Sequence, residues 1–570
     1  MSQPVETVHL VVCVHGLFGS PEDLQYFSNA LVKAGHPDSF VLNSPAPTSS
    51  KSKSIPPPED VEIREPSSLP RDRPVVVILN SAANIDGTFD GIDFCAFRLV
   101  QEIKSDVRNL RLQSSTKGHP RHIAQVSLLG HSLGGLIARF AVGVLERDGF
   151  FASVAEDQIP KDITNENTRS ILASPPLPST FVTFATPHIG MPPESRTGRP
   201  WLAKRTAATM GRTGLQLYLL DDGWDSPTES DGISDTTRPR VGVLEAMTKP
   251  SSSFMIGLNR FDKVVVYANA THDFPVAFRT ASLYPVDPFA IRGLTWNVCP
   301  KYDGVVTSYT LPTAAPSFLD KLKQRFTPPA IFHPRRISAR FPLNYLIVLA
   351  MPFAFLLLLP PALAAVVIYF RSYAKKSTAR VQDLIRKQRL QEQDGRLDAE
   401  GTAALIPSVS GNGLAAIAHS EGAGASASEA DEAWYARRKA YFVQPPDDNP
   451  FKTNKADPFR SSSTVNGSSP ASSHDPETLS STIFSYITAS STHTKYPLPP
   501  SLPPTQLRLH TPQLRMIAQW TLVLGHKFER HFVKMEDVLD THPLIVVRRE
   551  ADKVDMRGRG IVQHFIDNHF

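Results

Sequence analysis

Thirty consecutive residues, FPLNYLIVLAMPFAFLLLLPPALAAVVIYF from Phe341 to Phe370, carry no charged side chain. A helix needs only ~20 apolar residues to cross a bilayer, so the run limits what the rest of the chain can do. Arg335, Arg336 and Arg340 precede it, and Arg371, Lys375 and Lys376 follow it. Positive charge favours the cytoplasmic side, and here it flanks both ends. Pro352, Pro360 and Pro361 fall inside the run, where proline breaks or kinks a helix. Two legs of about 14 residues reach only ~20 Å each, short of a ~30 Å hydrocarbon core. The run over 341–370 therefore reads as a membrane-embedded hydrophobic hairpin that returns to the side it left.

Apolar patterning organises the remainder. VHLVVCV, VVVILN, IAQVSLLG, TFVTFAT and DKVVVYANA read as buried strands. PEDLQYFSNALVKAG, FCAFRLVQEIKSDV and LGGLIARFAVGVLERDG, between or after them, have helical spacing. Strands alternating with helices predict a mainly parallel sheet covered on both faces. Residues 44–74, rich in Pro and Ser, read as a disordered insert within a first unit spanning 1–330. Residues 371–508 read as a charged helix followed by a disordered linker, low in periodicity from about 401. Apolar periodicity returns in 509–570, which is expected to pack back onto the first unit.

Composition excludes several classes. The formal charge is +5, and no long Lys/Arg run of the kind that grips nucleic acid is present. A small basic excess beside an apolar run fits an anionic membrane surface better. Cys13, Cys95 and Cys299 are far apart and odd in number, which gives neither a disulfide framework nor zinc-ligand spacing. They fit a reducing, cytosol-facing location. The first residues, MSQPVETVHLVVCVHG, lack the basic and long apolar regions of a secretory signal.

Chemistry enters at LLGHSLGG. Gly130-His131-Ser132-Leu133-Gly134 is a G-x-S-x-G elbow, in which a sharp strand-to-helix turn exposes the serine. Its context fits, because an apolar strand precedes it and an amphipathic helix follows. Acyl transfer also needs donors for the developing oxyanion. The N–H of Leu133 is one, and the N–H of Leu17, just after the first strand in VHGLFGS, is the other. His15 reads as a hydrogen-bonding prop. In this fold the triad order is Ser, then Asp or Glu, then His. Asp273 follows the strand VVVYANA at the end where a site belongs, whereas Asp262 sits at its other end. His272 adjoins Asp273 and diverges from it. His542, between a candidate strand and a final helix, suits the base, with His188 as the minority alternative. His564 and His569 fall in that last helix and read as surface residues.

VHGLFGS, TFDGIDFCAFRLVQEI, GHSLGG, FVTFATPHIG, YANATHDFPVAFRTA and THPLIVVRR together resemble the serine esterase family of lipases. The nearest branch is the fungal lipid-droplet group, with monoacylglycerol lipase and phospholipase members. The resemblance covers roughly 8–300 and 510–570. It implies an α/β-hydrolase fold, lipid acyl-ester hydrolysis and a triad on Ser132, Asp273 and His542. The expectation is a cytosol-facing lipase on a lipid droplet or the endoplasmic reticulum, acting on glycerolipids. It requires no metal or organic cofactor and no nucleic acid. The rival readings are a non-catalytic membrane adaptor with a hydrolase shell, and an acyltransferase of the same fold.

Overall fold

The computed structural model describes residues 4–42, 73–113, 115, 118–192, 200–221, 241–291, 293–310, 343–393 and 509–570. Most of the 44–74 insert and the 401–508 linker lie outside these residues.

Seven strands form one sheet: β1 (Glu6–Val14), β2 (Phe40–Leu42), β3 (Val75–Asn80), β4 (Arg121–His131), β5 (Leu177–Phe184), β6 (Lys263–Asn269) and, last in sequence, a strand at Phe528–Val533. Between the last two, β7 (Thr295–Val298) and β8 (Val306–Thr310) make a separate antiparallel pair, so Phe528–Val533 is β9. The sheet order is β2-β3-β1-β4-β5-β6-β9, and every pairing in it is parallel. This is the expected α/β-hydrolase architecture. A parallel sheet has both faces buried, which explains why its strands read as unbroken apolar runs.

Strand alternation sorts the core into two layers. Val8, Leu10, Val12 and Val14 of β1 face one layer, with α2 (Ile92–Leu112), α3 (Leu133–Arg147) and residues of the C-terminal segment, among them Trp520. Val11 and Cys13 face the other, with α1 (Gln25–Ala34) and residues Ile561, Val562 and Phe565. The C-terminal segment thus belongs to the same body. β9 pairs with β6 over Val264↔Phe528 to Asn269↔Val533, although more than two hundred residues separate them in sequence.

The apolar run departs from expectation. Leu343–Gln393 is one continuous 51-residue helix, not a hairpin, and it passes through Pro352, Pro360 and Pro361. A proline removes one backbone donor and can kink a helix, but the Leu- and Ala-rich residues on either side favour helix and carry it across. Naming Gly211–Leu217 α4 and Ser253–Arg260 α5 makes this helix α6. Thr511–Leu524 is then α7 and Arg559–His569 α8.

The two halves of α6 differ. Leu357–Leu384 is long and apolar enough to cross a membrane by length and composition, and Leu357, Leu363 and Ile368 are 75%, 61% and 69% exposed. Further on, Ala374, Ser377 and Val381 recur at helical spacing and are buried. They form the face that docks on the sheet-bearing body, where Ala374 Cα comes close to Gly211. Arg380 fixes the register with two hydrogen bonds of 2.8 Å to the buried Asp90 carboxylate, which Arg98 also contacts at 2.8 Å. A carboxylate bonded to two guanidiniums is satisfied despite its burial.

Candidate active site

Ser132 stands between β4 and α3 with φ 55° and ψ −127°, a backbone conformation that L-residues rarely adopt. Close packing enforces it. A Cβ on Gly134 would lie 2.1 Å from the Val14 carbonyl oxygen, and one on Gly130 would lie 2.4 Å from Gly135 Cα. The Ser132 N–H donates to the Phe184 carbonyl (2.8 Å), which ties the turn to β5. The serine side chain is left at the N-terminus of α3, where helix dipoles favour negative charge.

The three residues selected from sequence for proton transfer are together. His542 Nε2 is 2.9 Å from Ser132 Oγ. His542 Nδ1 is 3.1 Å from the Asp273 carboxylate. Asp273 follows β6, and its carboxylate also accepts from Asn269 Nδ2 (2.8 Å) and the Val276 N–H (2.9 Å). The 541–542 segment is stitched to the acid loop: Thr541 N–H donates to the His272 carbonyl and Thr541 Oγ1 to the Thr271 carbonyl, both at 2.9 Å. His272 itself is exposed with φ 59°.

His131, read from sequence only as part of the elbow, bonds through Nε2 to the His542 carbonyl at 3.0 Å. Burial first, and then the neighbouring His542, push His131 well below the ordinary imidazole range. It is therefore a neutral strut between the elbow and the loop that carries His542. His188 does not join the cluster. It is fully buried, bonds Thr183 Oγ1 (2.8 Å), and packs on Trp520. Its carbonyl accepts from the buried Arg139 (3.0 Å).

Leu17 and Leu133, the expected oxyanion donors, lie in the two segments that meet at Ser132. Gly16 packs so closely that a Cβ there would sit 2.9 Å from Ser132 Cβ, so the loop that continues into Leu17 abuts the elbow. Leu133 follows Ser132 directly. Among the described residues, neither N–H has a hydrogen-bond partner. His15 Nδ1 bonds the Gly16 carbonyl at 3.0 Å, the prop expected of it.

The next residue, Phe18, ties this loop to α6. Its φ is 54°, and its N–H donates to Thr88 Oγ1 (3.2 Å). Its ring meets Phe89, Tyr369, Phe370 and Tyr373 at centroid distances of 4.9–5.7 Å. Asn269, Thr88 and this aromatic cluster were not identified from sequence. Asn269 left one signal, a polar residue closing an apolar strand.

Residues 4–53 and 61–283 match a family described as "Putative serine esterase (DUF676)". A protein named as a putative lipase in Schizosaccharomyces pombe is 28% identical over 168 residues, 29% of this chain and 17% of that protein. Another named as a putative lipase in Saccharomyces cerevisiae is 24% identical over 292 residues, 50% of this chain and 30% of that protein. The matches thus span less than a third of either relative's own length.

Proposed function

Since residues 4–53 and 61–283 match this serine esterase family, we propose that the chain is a membrane-associated serine lipase cleaving acyl esters of glycerolipids. The observation that carries the proposal is His542, which bridges the Ser132 hydroxyl and the Asp273 carboxylate. Ser132 Oγ attacks the acyl carbonyl while His542 Nε2 takes its proton. The Leu17 and Leu133 N–H groups receive the oxyanion. The tetrahedral intermediate collapses, and His542 returns the proton to the leaving alcohol. Water then attacks the acyl-enzyme by the same route, releasing the fatty acid and restoring Ser132. Asp273 holds the imidazole in the required tautomer and stabilises its charged form.

Lipid substrate is favoured by where α6 docks. Its exposed apolar half begins beside Phe18, one residue beyond the Leu17 donor. Inserted in lipid, that half places the bilayer or droplet surface at the mouth of the site. Thr310 ends β8, and Leu343 opens α6. The intervening residues carry Lys321, Lys323, Arg325, Arg335, Arg336 and Arg340. Dragging these charges through hydrocarbon is expensive. A helix ~10–12 Å across fits within one leaflet of a ~30 Å core, and we place both flanks of α6 on the cytosolic side. A lipid droplet or the endoplasmic reticulum would supply such a surface.

A fluorophosphonate probe should label the wild type and not Ser132→Ala, and purified protein should release fatty acid from monoacylglycerol or phospholipid. Absence of labelling would favour a non-catalytic adaptor. Labelling with acyl transfer to an added alcohol, and no net fatty acid, would favour an acyltransferase. Changing Leu358, Leu363 and Val367 to Lys should move the protein from the carbonate-resistant membrane fraction to the soluble one. Short-chain ester hydrolysis should persist; membrane retention would show that α6 is not the anchor.

A further inference from the structure

On the sheet face opposite α3, three histidines meet. His531 lies on β9, and His564 and His569 lie on α8. All three are buried, at 6%, 8% and 6% exposure, so the surface position expected for His564 and His569 does not hold. The apolar side of α8 turns both rings toward the sheet. One ring nitrogen from each of the three lies within 4.8 Å of the others.

Their finer geometry resembles a ligand set more than ordinary core packing. His531 Nε2 and His569 Nε2 are 3.0 Å apart. Nitrogens sharing a tetrahedral ion at ~2.0–2.1 Å come to ~3.3 Å of one another, so only a small adjustment is needed. The Tyr267 hydroxyl bonds His564 Nδ1 at 2.7 Å, the outer-shell contact that orients a ligating imidazole to bind through its other nitrogen. His569 Nδ1 is buried without a hydrogen-bond partner. Glu529, two residues before His531 on the same side of β9, has Oε2 3.7 Å from His531 Nε2. Its side chain is 44% exposed, which gives an ion a path from solvent.

We propose that His531, His564 and His569 bind a divalent cation of the Zn2+ class, with the Glu529 carboxylate completing a four-coordinate site. Three imidazoles and a carboxylate suit this borderline metal rather than Mg2+ or Ca2+, which take oxygen ligands. The site is structural. It pins α8 to β9, and through Tyr267 to β6, the two strands that lead into the loops bearing His542 and Asp273. It takes no part in ester hydrolysis.

The test uses the full chain in detergent, stripped with a chelator and dialysed. Added Zn2+ should bind at one ion per chain and raise the melting temperature. Co2+ in its place should give the visible bands of a four-coordinate ion. His569→Gln should weaken Zn2+ binding by at least ~100-fold, and Tyr267→Phe by ~10-fold as an outer-shell loss. Exposed His526→Gln should change nothing. Equal Zn2+ uptake by wild type and His569→Gln, or an unchanged melting temperature with Zn2+, would overturn the proposal and leave a hydrogen-bonded histidine cluster. Should His569→Gln fail to fold, the wild-type Co2+ spectrum decides: four-coordinate bands support the site, and a six-coordinate spectrum or none overturns it.

Discussion

His542→Ala is expected to lower kcat for ester hydrolysis by ~10^4–10^6-fold while the protein still folds and binds membrane, because members of such a triad act as one unit. The imidazole side chain is 13% exposed and lies in a loop. That loop is held by Thr541, by Asp540 bonding the His542 N–H (3.1 Å), and by His131 at the His542 carbonyl. None of these bonds needs the His542 ring. Asp273→Asn should cost ~10^4-fold through the wrong imidazole tautomer. Both rates are read with a soluble short-chain ester, so that membrane binding does not enter. Near-normal turnover by His542→Ala, with loss in a folded His188→Ala, would move the base to His188.

The second large effect is on folding. Gly134→Val puts a Cβ 2.1 Å from the Val14 carbonyl oxygen and 2.5 Å from that of His15. Both are backbone atoms at the end of β1, the strand bonded to β3 on one side and β4 on the other. They cannot swing aside as a flexible side chain can. Overpacking commonly costs ~1–3 kcal/mol and occasionally more, and contact with fixed backbone belongs at or above the top of that range. Against a total of ~5–15 kcal/mol, most of the expressed protein should aggregate, and what remains should melt several degrees lower. A Gly134→Val protein melting with the wild type would mean that α3 can slide away from β1.

The sequence conveyed what short-range rules govern. GHSLGG could be placed because the glycines around Ser132 are required by contacts within a few residues or with the first strand. Asp273 and His542 were found from chain order and from their position after β6 and β9, although His188 stayed open until its burial against Trp520 was visible. The prolines at 352, 360 and 361 misled, because the local cost of each is legible in sequence whereas the helix propensity of the Leu and Ala residues around them acts only when summed over many positions. Contacts such as Arg380 with Asp90, 290 positions apart, leave no spacing pattern at all. The same holds for His131 with the His542 carbonyl, 411 positions apart, and for the meeting of β9 with α8 that buries His564 and His569.

The distance along the chain between nucleophile and base has a consequence for biosynthesis. Ser132 and His542 are separated by 410 positions. At ~5–20 residues per second, a ribosome that has made the serine needs about 20–80 s more to make its partner. Late in that interval, once residue 393 has been made, the elbow, the acid and α6 exist while β9 is still untranslated. With His542 as the base, the proton-transfer set is complete only when β9 enters the sheet beside β6.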